Sequence, residues 1–172
     1  MARGEGGRAL GVRSLRPIEC ARSRSVADAG RSCGFLETLE RRCGAALKQC
    51  GGAHLPVVHP VRSLERAVAD PEPVRTVRLV ADPGAPSSLA ERASRLDPAD
   101  AVTYLVGPEG GLDHEERSLC RAAGFERVGL GPRTLRFETA ALVGLALLAP
   151  RLQPAGANGG ARPDPREERP RR

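Results

Sequence analysis

The spacing of apolar and polar positions changes period several times along the chain, and each change marks an element. Residues 33–50, CGFLETLERRCGAALKQC, put Phe35, Leu36, Leu39, Cys43, Ala46, Leu47 and Cys50 on one stripe of a helix. Gly51-Gly52 follows as its stop. Upstream, VRSLRPIEC (12–20) has the composition of a short strand interrupted by Pro17. Downstream, HLPVVHP (54–60) predicts a short extended piece, and SLERAVAD (63–70) a short helix halted before Pro71.

From residue 76 the periods alternate regularly. TVRLVADPG (76–84) predicts a strand and turn, SSLAERASRL (87–96) a short helix, and AVTYLVG (101–107) a strand. The run 101–107 is almost continuously apolar, as burial on both faces requires. DHEERSLCRAAG (113–124) predicts a helix with Asp113 as N-cap, Glu116 completing a capping box, and Gly124 as its end. FERVGLG (125–131) predicts another strand, and TAALVGLALLA (139–149) a strongly apolar helix. Strands alternating with helices over 76–149 give an α/β fold with a parallel sheet. The opening MARGEGGRA (1–9) and the Pro-, Gly- and Arg-rich stretch 151–172 lack any apolar period and are expected to be disordered flanks of one domain over 10–150.

Composition excludes several classes. Four aromatics and no Trp in 172 residues are too few for a single-strand stacking platform. No apolar run reaches the length of a membrane span. Charge is uneven: residues 1–32 carry seven Arg against three acids, 33–150 fourteen bases against fifteen acids, and 151–172 six Arg against three acids. Basic ends around a neutral middle suit a polyanionic partner such as nucleic acid, or are simply solvated ends. Five cysteines, an odd number with no C-x-x-C pair, fit reduced thiols in a cytoplasmic protein. Cys50, His54 and His59 lie close in sequence without a fourth ligand, so no metal site is expected.

Two segments fall where parallel sheets bind ligands, at the carboxyl ends of strands. One is Leu105-Val106-Gly107-Pro108-Glu109-Gly110-Gly111, with three glycines in five residues. The other is Leu130-Gly131-Pro132-Arg133-Thr134-Leu135-Arg136-Phe137-Glu138-Thr139-Ala140, with two arginines and a glutamate. Neither is a P-loop or a G-x-G-x-x-G fingerprint. Each alone reads as an ordinary turn or a salt-bridged helix start. Together, about twenty residues apart, they resemble the C-terminal signature of the RsmE family, the small-subunit ribosomal RNA methyltransferases E of the SPOUT superfamily. Leu47-Lys48-Gln49-Cys50-Gly51 with Leu55-Pro56, Leu10-Gly11-Val12 and Arg24-Ser25-Val26 extend the likeness over roughly residues 10–149. The Arg-rich opening also loosely resembles an organelle transit peptide, but on this reading residues 10–26 belong to the domain.

The resemblance implies a SPOUT-type parallel sheet with a deep trefoil knot in its C-terminal segment. It implies S-adenosylmethionine as cofactor, held by loops that correspond here to Leu79–Gly84, Gly107–Gly111 (with Glu109 and Gly110) and Leu130–Leu135 (with Gly131). It implies a homodimer that methylates N3 of a uridine in 16S-type ribosomal RNA of the small subunit, in the cytoplasm or, for a eukaryotic source, in an organelle. Arg136 would stabilise the uridine anion or hold a phosphate, and Glu138 would orient Arg136 or take the proton, with Glu109 an equal candidate for the base. Arg133 and Arg24 would reach RNA. The sequence also departs from the family. Its N-terminal PUA-like domain and first strand are expected to be missing. Gly52 stands for an expected Arg, Leu39 for a Trp, Thr134 for an aliphatic residue and Phe137 for a Thr. The alternative expectation is therefore a truncated, catalytically silent remnant that binds RNA or dimerises.

Overall fold

The computed structural model describes residues 12–23, 34–50, 55–73 and 75–152. The expected flank 1–9, the Leu10-Gly11 and Arg24-Ser25-Val26 elements, Gly51-Gly52 and all of the tail beyond residue 152 lie outside the described residues.

Near the start, Pro17 divides the predicted strand in two, β1 (Ser14–Leu15) and β2 (Ile18–Glu19). Helix α1 (Phe35–Cys50) follows. Of the described part of the extended piece (55–60), β3 (Val57–Val58) pairs parallel to β1, while β4 (Arg62–Ser63) pairs parallel to β2. Strand β4 was not legible in the sequence, because Ser63 serves both as strand residue and as N-cap of α2 (Leu64–Ala69). The Ser63 hydroxyl accepts the Arg66 N–H.

The alternating second half folds as its pattern predicts. It comprises β5 (Thr76–Ala81), α3 (Leu89–Ser94), β6 (Ala101–Leu105), α4 (His114–Ala122), β7 (Glu126–Val128) and α5 (Phe137–Leu152). The three strands form a parallel sheet in the order β6-β5-β7. Strand β5 is central, so successive side chains enter opposite cores. Leu79 packs with Leu89, Ala93, Val128 and Leu148 beneath α3 and α5. Val80 packs with Leu64, Leu105, Cys120 and Phe125 beneath α2 and α4. The three layers are therefore helices, sheet and helices.

The caps on α4 form as predicted. Asp113 accepts the Glu116 N–H at 2.8 Å, and Glu116 accepts the Asp113 N–H at 2.9 Å. Gly124, at φ +80°, turns the chain out of the helix. Helix α5 is longer than its apolar stretch predicts, beginning at Phe137 and passing through Pro150 to Leu152. Pro150 sits in the last turn, where only one intrahelical hydrogen bond is forfeited before the helix ends. Tyr104 of β6 lies against the middle of α5, donating to the Ala140 carbonyl at 3.2 Å. Burial pushes its phenol up to about 12.

Candidate active site

All three strands of the sheet release their loops at the same edge. The loop after β5 (82–88) is sewn to the one after β7 (129–136). Asp82 N–H donates to the Val128 carbonyl, Gly129 N–H to Ser87, and Leu89 N–H to Gly129, at 3.0, 2.9 and 2.8 Å. The loop after β6 (106–113) closes the third side. Its turn is tied by Gly111 N–H donating to Pro108 at 2.7 Å, with Gly111 at φ +67°. Gly131, at φ +141°, makes the corresponding bend after β7. Side chains rarely adopt either conformation, which accounts for glycine at both places.

The loops surround one cavity of about 470 Å³. From the first come Asp82, Pro83, Pro86 and Ser87; from the second Gly107, Pro108, Glu109, Gly111 and Leu112; from the third Leu130, Gly131, Arg133, Thr134 and Leu135. Phe137 and Ala140 of α5 complete that side, while Arg117, Cys120 and Arg121 line it from α4. Among the described residues, no backbone carbonyl accepts the N–H groups of Leu130, Gly131, Arg133, Thr134 or Leu135. The first turn of α5 adds the N–H groups that every helix start leaves free. The cavity thus combines apolar walls with available backbone donors, the usual make-up of a small-molecule site.

Seven of the residues singled out from the sequence meet on this cavity: Gly107, Glu109, Gly111, Leu130, Gly131, Arg133 and Leu135. Leu79 is fully buried in the core, while its neighbours Val80 and Ala81 reach the wall. Gly84 is exposed and accepts a hydrogen bond from Arg127 at 2.7 Å. Gly110 is at the outside of its turn, where its carbonyl accepts from Arg22 at 2.7 Å. Arg136 and Glu138 are exposed at the start of α5, on either side of the wall residue Phe137. Arg24 lies outside the described residues.

Sequence reading missed an ion pair built into the wall. Arg127 Nε donates to Asp82 at 2.7 Å, and the same guanidinium reaches the Gly84 carbonyl. Asp82 in turn accepts the Gly84 N–H at 2.8 Å. Burial opposes the Asp82 charge. The hydrogen bonds from Arg127 and Gly84, with the charges of Arg127 and Arg117, outweigh burial and hold the carboxyl below its usual range. The signal available in sequence was the Asp82-Pro83-Gly84 turn directly after a strand. Burial, with Glu116 adding to it, pushes the Cys120 thiol up to about 11, so it meets the cavity protonated. Among the described residues no group of His, Cys, Asp and Glu could hold a metal ion.

An α/β domain with a ligand-sized cavity at the carboxyl edge of a parallel sheet has the architecture in which such folds bind small molecules. Residues 7–149 match the family model of the RNA methyltransferase domain, and the chain belongs to that family. It is 29% identical over 129 residues to the ribosomal RNA small subunit methyltransferase E of Treponema pallidum (strain Nichols), covering 73% of this chain and 47% of the relative. The crystal structure of the Neisseria gonorrhoeae enzyme of that name, bound to S-adenosyl methionine, superposes with a TM-score of 0.68 at 30% identity, over 80% of this chain and 54% of the other. The Legionella pneumophila protein Lpg2936, in complex with the bound cofactor SAM, gives a TM-score of 0.70 at 28% identity, over 81% and 55%. The resemblance read from the two loops is borne out. The chain spans about half the length of the relatives it matches.

Proposed function

We propose that this chain binds S-adenosylmethionine in the 470 Å³ cavity and methylates N3 of a uridine in small-subunit ribosomal RNA. One observation carries the reading. The glycine turn at 107–111 and the arginine-bearing loop at 130–135, far apart in sequence, line one cavity in a member of the RNA methyltransferase domain family. The cavity fits the cofactor by volume, since small-molecule sites occupy roughly 300–1,000 Å³. Its donors fit as well: the backbone N–H groups of Leu130, Gly131, Arg133, Thr134 and Leu135, which no backbone carbonyl accepts among the described residues, suit the nitrogens of an adenine edge, against the apolar surface of Leu130 and Leu135.

When bound, the cofactor supplies a methyl group made electrophilic by a sulfonium. The protein's task is positioning and proton management. Uridine N3 carries a proton that must leave as the new bond forms. Arg136, exposed between the wall residues Leu135 and Phe137, is assigned to the developing negative charge of the base or to a phosphate beside it. Glu138 is assigned to orienting Arg136 or accepting the N3 proton, and Arg133, on the rim, to RNA phosphate. Phe137, exposed between them, offers a face against which the base can stack.

The same reading includes the deep trefoil knot, with which the hydrogen bonding of loop 82–88 to the segment 128–129 is consistent. It also includes a homodimer, supported by Phe137 and Leu142, 48% and 61% exposed on the apolar helix α5. The test has two parts. Calorimetry with S-adenosylmethionine should give saturable binding. Labelled cofactor should transfer its methyl to small-subunit particles lacking the modification, with nucleoside mass spectrometry placing it on uridine N3. A well-folded chain that binds no cofactor ends the proposal. Binding without transfer leaves the silent remnant.

A further inference from the structure

Helix α4 supplies a wall of the cavity that the loops do not explain. Arg117 and Arg121 both line the cavity and both are exposed. Four residues apart, they share one helix face, with about 6 Å of rise between them. The charges around them do not cancel. Of the acids on the cavity, Asp82 is paired with Arg127 and Glu126 with Arg92. That leaves Glu109 on the same cavity as Arg117, Arg121 and Arg133, none of which forms an ion pair among the described residues, although the charge of Arg117 also acts on Asp82. On the helix itself, Asp113 and Glu116 are held in the capping box, and Glu116 also accepts the Ala21 N–H at 2.7 Å. Glu115, two positions from Arg117, points to another side.

We propose that Arg117 and Arg121 grip the phosphate backbone of the RNA as its target base enters the cavity. This rests on the reading above. Three features favour a polyanion. The unbalanced charge on the cavity is positive, whereas a sulfonium cofactor brings positive charge of its own. Two guanidiniums in line along one helix face match a chain of repeating anions, and each presents the planar fork that suits phosphate. Both are at solvent, where a polyelectrolyte gains affinity by releasing counterions. The arginines read no sequence; they set the register in which the strand lies over the cavity.

The experiment compares the parent chain, Arg117→Gln/Arg121→Gln and Arg117→Lys/Arg121→Lys. The probe is a fluorescein-labelled single-stranded RNA containing uridines, titrated over a series of salt concentrations. Arg41→Gln/Arg42→Gln, an exposed pair on α1, removes the same charge elsewhere. The cavity pair should weaken RNA binding and flatten the plot of log K against log salt by about 1.4, from roughly 0.7 for each single-strand phosphate no longer neutralised. The lysine variant should keep most of the slope, and the α1 control should keep nearly all of it. Cofactor affinity by calorimetry should fall less than RNA affinity does. If both glutamine pairs reduce RNA binding equally, net charge alone is responsible and the proposal falls. Weakened cofactor affinity with RNA binding intact would make the pair a cofactor anchor and likewise overturn it. A parent that binds RNA no better than the cavity variant overturns the arginine assignment alone. A parent that binds neither RNA nor cofactor overturns both it and the function on which it rests.

Discussion

Gly144→Ala sets two physical effects against each other. At an exposed position inside a helix, the change would stabilise by about 1 kcal/mol through helix propensity. Gly144, however, is buried in the middle of α5, and a Cβ there would run into the Tyr104 ring at Cε1, Cζ and the hydroxyl. The ring has little room to yield. It packs beside the Leu79 core, and its hydroxyl is bonded to the Ala140 carbonyl on the same helix. Forcing a methyl into a filled site costs about 1–3 kcal/mol, and loss of the hydrogen bond adds about 1 kcal/mol. With the propensity gain subtracted, the net is a loss of roughly 1–3 kcal/mol, or about 2–4 °C in Tm for each kcal/mol. Urea unfolding measures it, and the chain's single Tyr and lack of Trp make tyrosine fluorescence a local report. In a Tyr104→Ala background the same change should become neutral or stabilising. A Gly144→Ala protein as stable as its parent would refute the packing of α5 on β6, and with it the position of Phe137 and Ala140 on the cavity.

Four other outcomes are expected. Arg136→Ala should abolish methyl transfer while leaving cofactor binding largely intact; retained transfer removes its assigned role. Because Asp82 titrates below its usual value, its contribution to stability is complete above about pH 4 and is lost as pH falls through the lowered value. Asp82→Asn should therefore flatten the acid limb of the stability–pH curve, and an unchanged limb would deny the ion pair. Tyr104 titrates higher in the folded chain, so its contribution is complete below about pH 10 and fades toward pH 12. Its phenolate absorbance should rise near 12 in the native protein, and a midpoint near 10 would place the ring in water. Asp113→Ala removes the N-cap of α4 and should cost about 1 kcal/mol in denaturant unfolding.

The second half of the chain was readable because each element carries its own local instruction. The apolar run 101–107 marked a strand, although β6 lies at the edge of the sheet with only Leu105 buried rather than covered on both faces, and Asp113, Glu116 and Gly124 marked both ends of α4. The start of α5 was less visible, since Phe137 and Glu138 follow a polar loop and are exposed, so no apolar period marks them as the first turn of the helix. The two-residue strands near the N-terminus were harder still, because their pairing is between segments some forty positions apart. Of the site, the glycine and arginine loops were visible through their motifs. The Asp82–Arg127 pair and the inward face of α4 were not. These depend on which loops and helices the parallel crossovers bring to the same edge.

The placement of β5 has an effect on how the molecule is made. Its partner on one side, β6, emerges soon after it, but on the other side Leu79 must await Glu126, forty-seven positions further along. Until then the middle of the sheet has an open flank, and Leu79 lacks Val128 and Leu148 over it. Closing that flank therefore waits on a contact of long sequence separation, the kind that slows folding. Nascent chains halted between β6 and β7 would be those most in need of a chaperone.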